Sequence, residues 1–171
     1  MNYDTNLFTL SEISPKDDAI FKRLFGGKGN EGILKDFLEA LLDIKIDNLE
    51  LDLSTELQAE FNDGKKSIVD VRARLINGTE INIEMQNSAD DFSEQRCLQY
   101  WSKIYSNTLK KSKNYKELKK TICIWFLNEN VYSDLKKFES KWTMKNELET
   151  TSEKHFDFIE FHIIELQKFV A

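Results

Sequence analysis

Apolar and polar positions alternate most cleanly from Val69 to Gln86, and the rest of the chain is arranged around that stretch. Two runs rich in β-branched residues flank Asn77-Gly78, a hairpin turn signal. A two-residue loop would set Asp70 opposite Met85 and Val71 opposite Glu84, mixing apolar and charged side chains on both faces. A three-residue loop, Ile76-Asn77-Gly78 with Gly78 in the left-handed position of a bulge, shifts the pairing by one. Val69, Val71, Ala73, Ile81, Ile83 and Met85 then share one face. Asp70, Arg72, Arg74, Glu80, Asn82, Glu84 and Gln86 share the other. A slip of one residue moves every side chain across the sheet, so the sorted register is the one expected.

The same pattern predicts the neighbouring elements. Met1–Ile13 has no clear period and reads as an arm. Ser14-Pro15 is a helix start, and Ile20, Phe21, Leu24 and Phe25 form a stripe that ends at Gly26-Gly27. Asn30 is placed to cap a second helix, whose buried face is Ile33, Leu34, Phe37, Leu38, Leu41 and Leu42. Residues 44–53 form a connector, in part extended. Residues 56–61 alternate and predict a strand that turns at Asn62-Asp63-Gly64 into the hairpin, giving a three-stranded meander. From Ser93 to about Lys111 an amphipathic helix is expected, with Cys97, Tyr100, Trp101, Ile104, Tyr105 and Thr108 on its apolar side. Thr121–Leu127 is apolar on both faces, as a central strand is, so strand, helix and strand make a right-handed crossover. Tyr132–Phe138 reads as a short helix, and residues 141–145 and 156–165 as an antiparallel pair. The order predicts a mixed α/β fold with a β-rich tail.

Composition narrows the class. The chain has 171 residues, 40% hydrophobic and 32% charged, with one Pro and six Gly, which suits one soluble domain over residues 14–171. No run reaches the length of a membrane span, and the first residues lack the basic-then-apolar order of a signal peptide, so no membrane partner and a cytoplasmic location are expected. Cys97 and Cys123 lie inside apolar patterns and are too few for a disulfide framework. His155 and His162 have no metal-ligand spacing, and packing is the expected role of Trp101, Trp125 and Trp142. A net charge of −6 argues weakly against nucleic acid. Between Lys103 and Lys120, however, seven lysines face a single acid, Glu117. A solvated helix end explains them individually; a phosphate-binding surface explains them together.

The sorted register has a consequence that packing does not explain. Arg74 opposes Glu80, a sensible ion pair, but Asp70 opposes Glu84. At about 5 Å and an effective dielectric of about 20, two carboxylates repel by roughly 3 kcal/mol before screening. A hard divalent cation would relieve that repulsion, because Mg²⁺ takes oxygen ligands and commonly uses one or two carboxylates. The plain alternative is a solvated hairpin face that tolerates the pair.

These residues carry a resemblance. Asp18-Ala19-Ile20-Phe21-Lys22 on the first helix, Val69-Asp70-Val71, Ile83-Glu84-Met85-Gln86, Arg96 through Tyr100-Trp101, and Glu165-Leu166 together resemble the PD-(D/E)XK nuclease superfamily. More narrowly, the chain resembles the Rpn family of recombination-promoting nucleases and putative transposases. The likeness spans roughly Asp17 to Phe169. Gln86 stands where the superfamily usually has Lys, as in this family's own pattern. The family's further C-terminal region is expected to be missing.

The resemblance implies a restriction-endonuclease-like core and a Mg²⁺-dependent endodeoxyribonuclease with little sequence preference, acting in recombination or mobile-element processes. It implies that Asp70, Glu84 and the Met85 backbone carbonyl hold Mg²⁺, or Mn²⁺ in its place, for water attack on the scissile phosphate. Gln86 can neither act as a base nor carry charge, so a water-positioning role follows. Asp18, Arg96 and Tyr100 become accessory residues, and Lys22, Arg96, Lys103, Lys110 and Lys111 contacts to DNA. A homodimer would suit the cutting of both strands. The competing reading is a catalytically inactive or truncated nuclease-fold interaction module.

Overall fold

The computed structural model describes residues 18–52, 56–57, 67–68, 70–109, 113–148 and 155–169. The arm at residues 1–13, the Ser14-Pro15 start and Lys110 and Lys111 lie outside them. Helices α1 (Asp18–Gly26) and α2 (Glu31–Leu42) come first. Strands β1 (Leu49–Leu51), β2 (Glu56–Leu57), β3 (Ser67–Ile68), β4 (Val71–Leu75) and β5 (Glu80–Gln86) follow. Helix α3 (Glu94–Asn107) then leads to β6 (Thr121–Leu127), β7 (Glu139–Lys145) and β8 (His155–Glu165). Among the described residues, six strands form one mixed sheet in the order β1-β4-β5-β6-β8-β7, and β2 pairs with β3 in a separate ladder.

The hairpin adopts the sorted register. Val71 faces Ile83, Arg72 faces Asn82, Ala73 faces Ile81 and Arg74 faces Glu80. Leu75 N–H donates to the Thr79 carbonyl and Gly78 N–H to the Leu75 carbonyl, which closes the three-residue loop. Gly78 takes φ +87°, a conformation that costs little without a Cβ. Register alone therefore sends Val71, Ala73, Ile81, Ile83 and Met85 to one core, where α1 and α2 cover them with Phe21, Leu34 and Leu38. Phe21, Phe25, Phe37 and Phe126 seal that layer with ring centroids 4.7–5.7 Å apart.

The opposite face is not solvated. Helix α3 packs Cys97, Tyr100 and Ile104 over Cys123, Trp125, Leu127, Phe161 and Ile163. The polar residues of β4 and β5 are buried along the same face, with Glu80, Asn82 and Glu84 at 1%, 0% and 1% exposure. Arg72 joins Asp52 (3.1 Å) and Glu80 (3.3 Å), and Arg74 reaches Glu80 Oε1 at 2.5 Å. A solvated hairpin face is thus the wrong description; charge pairing makes the burial tolerable.

Strand β6 is buried throughout and runs parallel to β5, so α3 is the crossover between them. Strand β8 pairs parallel with β6 and antiparallel with β7. Four expectations change. The strand beside the hairpin begins earlier than expected: Glu56 and Leu57 pair with Ile68 and Ser67 just before β4, as the 56–61 strand requires, but the same antiparallel register already holds at β1, where Leu49 and Leu51 face Leu75 and Ala73 and Glu50 meets Arg74; 58–66 lie outside the described residues. Tyr132–Phe138 is not helical. Glu165 Oε1 accepts the N–H groups of Val131 and Tyr132 (2.7 and 2.9 Å), and Lys168 takes the Tyr132 carbonyl, an acceptor that a helix starting there would need for itself. Helix α3 stops at Asn107, where Thr108 Oγ1 bonds the Tyr105 carbonyl. Asn30 makes no side-chain cap to α2; its Nδ2 donates instead to the Arg23 and Leu24 carbonyls and closes the end of α1.

Candidate active site

Asp70 and Glu84 meet where β4 begins and β5 ends. Asp70 lies one residue before Val71, the partner of Ile83, so the ladder carries it next to Glu84. The two acids are tied through the backbone. Glu84 Oε1 accepts the Asp70 N–H at 3.3 Å, and Asp70 Oδ2 accepts the Met85 N–H at 2.8 Å. Lys22, one turn into α1, sets its ammonium 2.9 Å from Asp70 Oδ1. The C-terminal end of α1, at Gly26, faces Val71 and the Asp70 carbonyl.

Glu84 is almost wholly buried, and its carboxyl is pushed up to about 8. Burial is the largest cause and the Asp70 charge the next. Both oppose the hydrogen bonds from Asn82 and the Asp70 N–H, and the Arg96 charge. Near neutral pH burial and the Asp70 charge therefore favour the protonated carboxyl. Asn82 Nδ2 donates to the same Oε1 at 3.1 Å. The pattern singled out Asn82 only as part of the polar face; its place two residues before Glu84, hence on the same side of β5, was the available signal.

The next pair is set by α3. Ser93 caps the helix by accepting the Arg96 N–H at 3.2 Å, which points Arg96 back over β5. Arg96 Nη1 donates to Gln86 Oε1 (3.2 Å) and to the Asp91 carbonyl (2.7 Å). Its Nη2 donates to the Tyr100 hydroxyl at 3.2 Å, and the guanidinium lies 5.2 Å from the Tyr100 centroid and 5.5 Å from that of Trp125. Spacing of i and i+4 on one helix brings Arg96 and Tyr100 together. Asp70, Glu84, Gln86, Lys22, Arg96 and Tyr100 thus form one connected polar patch. Met85 enters it through its N–H.

Other expected residues lie apart or undescribed. Asp18 is in the first turn of α1, and its side chain lies outside the described residues, as does that of His155. Lys103 sits on α3 beyond this patch. The lysine-rich stretch is partly neutralised, since Lys120 pairs with Asp157 and Glu160 and Lys113 with Glu117. His162 is buried between Glu139 and Glu160, 2.9 and 2.8 Å away. Trp125 is buried, and Trp101 stacks on Tyr105 at 4.7 Å, in line with packing roles; Trp142 is half-exposed. Burial pushes the Cys97 thiol up to about 12 and holds Cys123 well above the usual thiol range, so neither is a nucleophile near neutral pH.

Among the described residues, no set of three or more His, Cys, Asp and Glu side chains is placed to hold a metal, and no helix is long and apolar enough to cross a membrane. No curated protein and no solved structure matches the chain. A family model does match, described as PD-(D/E)XK nuclease family transposase, over residues 15–171. With a mixed sheet flanked by helices and the match covering nearly the whole length, the chain belongs to the PD-(D/E)XK nuclease family transposases.

Proposed function

We propose that the chain is a divalent-cation-dependent endonuclease that hydrolyses DNA phosphodiester bonds with little sequence preference, in recombination or mobile-element processes. The observation that carries this reading is the juxtaposition of Asp70 with a buried Glu84 whose negative charge is disfavoured. The donor chemistry fits a hard cation: Asp70 and Glu84 would hold Mg²⁺ or Mn²⁺, with the Met85 carbonyl as a third protein oxygen. Such a cation, when bound, supplies charge neutralisation at the phosphate and an activated water.

The remaining side chains position. Gln86 Oε1 is occupied by Arg96, which leaves Nε2 to orient an attacking water or a phosphate oxygen. Arg96 is itself fixed by Tyr100 and the Asp91 carbonyl, so its fork is set before substrate arrives. Lys22 and Arg96 flank the acids with positive charge suited to the DNA backbone.

One observation favours a second reading, a non-catalytic interaction module. The Lys22 ammonium already compensates Asp70 without any added ion. Plasmid nicking by the purified protein with Mg²⁺ or Mn²⁺, compared with Asp70→Ala and Glu84→Ala, separates the two. Cleavage abolished in both variants supports the nuclease; equal activity in wild type and variants removes this site, and no cleavage at all leaves the module.

A further inference from the structure

Asn82 is wholly buried in the middle of β5, and packing gives no reason for an amide there. Its strand neighbours are Arg72 on β4, whose guanidinium is taken by Asp52 and Glu80, and Cys123 on β6. Cys97 and Ile104 of α3 line the same layer. Among the described residues Asn82 Oδ1 has no hydrogen-bond partner, although a buried acceptor without one is costly. A leucine of similar volume would fill the position without that penalty. Among the described residues, the one hydrogen bond of the Asn82 side chain is donation from Nδ2 to Glu84 Oε1 at 3.1 Å.

That contact has a direction. Oε1 also accepts the Asp70 N–H, so among the described residues both hydrogen bonds to the Glu84 carboxyl fall on Oε1 and none on Oε2. Two donors on one oxygen restrain the carboxylate about its last torsion and leave Oε2 as the oxygen for a cation.

Resting on the nuclease reading above, we propose that Asn82 is a positioning residue of the same site, holding Glu84 so that Oε2 is presented to a divalent cation. Asn82 touches neither cation nor DNA. Groups that orient metal ligands in this way typically change metal affinity by about 10–100-fold when removed.

The test compares wild type with Asn82→Leu, Asn82→Asp and Asp70→Ala. Mn²⁺ binding is measured by calorimetry and folding by thermal unfolding without metal; plasmid nicking runs in parallel. Asn82→Leu is expected to unfold at or above the wild-type temperature and to bind Mn²⁺ at least about tenfold more weakly. Asn82→Asp, equal in size but lacking the donor, is expected to weaken Mn²⁺ too. Where nicking is measurable, kcat falls and KM for DNA stays. If Asn82→Leu binds Mn²⁺ like wild type, or if its Mn²⁺ loss only follows loss of folding, the positioning role is overturned. Equal binding by wild type and Asp70→Ala removes the metal site and the proposal with it. Weaker Mn²⁺ binding in both Asn82 variants, without nicking by wild type, keeps Asn82 in its role and overturns only the nuclease reading.

Discussion

Lys22 Nζ lies 2.9 Å from Asp70 Oδ1, so a helix at one end of the chain supplies the counter-charge for the first acid of the hairpin. The lysine is 38% exposed and Asp70 9%, which limits the pair to about 0.5–1 kcal/mol. Lys22→Met is expected to lose that much in urea unfolding without metal. The same variant is expected to bind Mg²⁺ more tightly by calorimetry, because no ammonium competes for Oδ1. Unchanged Mg²⁺ affinity would mean that the lysine and the cation do not share Asp70.

Glu84 sets a pH dependence of the metal-free protein. Its carboxyl rises from 4.5 to about 8 on folding, through burial first and the Asp70 charge second. Below about pH 4.5 the group is protonated in both states and costs nothing. As pH climbs from about 4.5 to about 8 the unfolded chain ionises first, so stability falls, and above about 8 it levels off. The loss is on the order of 2–5 kcal/mol. Glu84→Gln keeps an acceptor for the Asp70 N–H and removes this slope. Urea unfolding in a chelator is expected to show Glu84→Gln more stable than wild type at pH 9 and about equal at pH 4.5. Parallel curves for the two proteins would contradict the buried-acid account.

Glu160 should act in the opposite sense. Burial alone would raise its carboxyl, but hydrogen bonds from His162, Lys120 and Lys141 outweigh burial and hold it well below the carboxylate range. An acid depressed by folding gives stability that is present above about pH 4.5 and is lost as pH falls below it. Glu160→Gln is expected to destabilise at pH 7 by on the order of 1–3 kcal/mol, and by less at pH 3. This cluster ties β7 to β8 and touches none of the proposed site residues, so Mg²⁺ affinity should stay at the wild-type value.

The hairpin was legible because only one register separates its apolar from its charged residues, and Gly78 at φ +87° is the turn that register requires. The juxtaposition of Asp70 and Glu84 followed from it. What could not be read was the cover. Glu80, Asn82 and Glu84 look like a solvated face in one dimension, and only the seat of α3 over β5 and β6 buries them. The strand beside β4 was read as starting too late. Residues 56–57 pair with 67–68 as their alternation requires, but Leu49–Leu51 extends the same register along Ala73, Arg74 and Leu75 and is too short to show a period of its own. Tyr132–Phe138 has helical spacing, and Lys168, 36 residues beyond Tyr132, takes the Tyr132 carbonyl that a first helical turn would use. Long-range capture of this kind has no local signal.

Arg96 joins the two halves of the proposed site, and its geometry yields the last expectation. One guanidinium contacts Gln86 Oε1, the Asp91 carbonyl and the Tyr100 hydroxyl, at 3.2, 2.7 and 3.2 Å, while lying over two rings. A lysine keeps the charge but has no planar fork, so it cannot hold all three contacts. If Arg96 served only as positive charge toward DNA, Arg96→Lys would leave nicking nearly intact and shift KM alone. If it orients Gln86, kcat should fall by roughly 10–100-fold, because small misplacements near reacting atoms cost that much. Gln86→Ala should give a similar loss, and the double variant little more than either single one, since both remove the same contact. Additive losses in kcat would place Arg96 and Gln86 in separate roles.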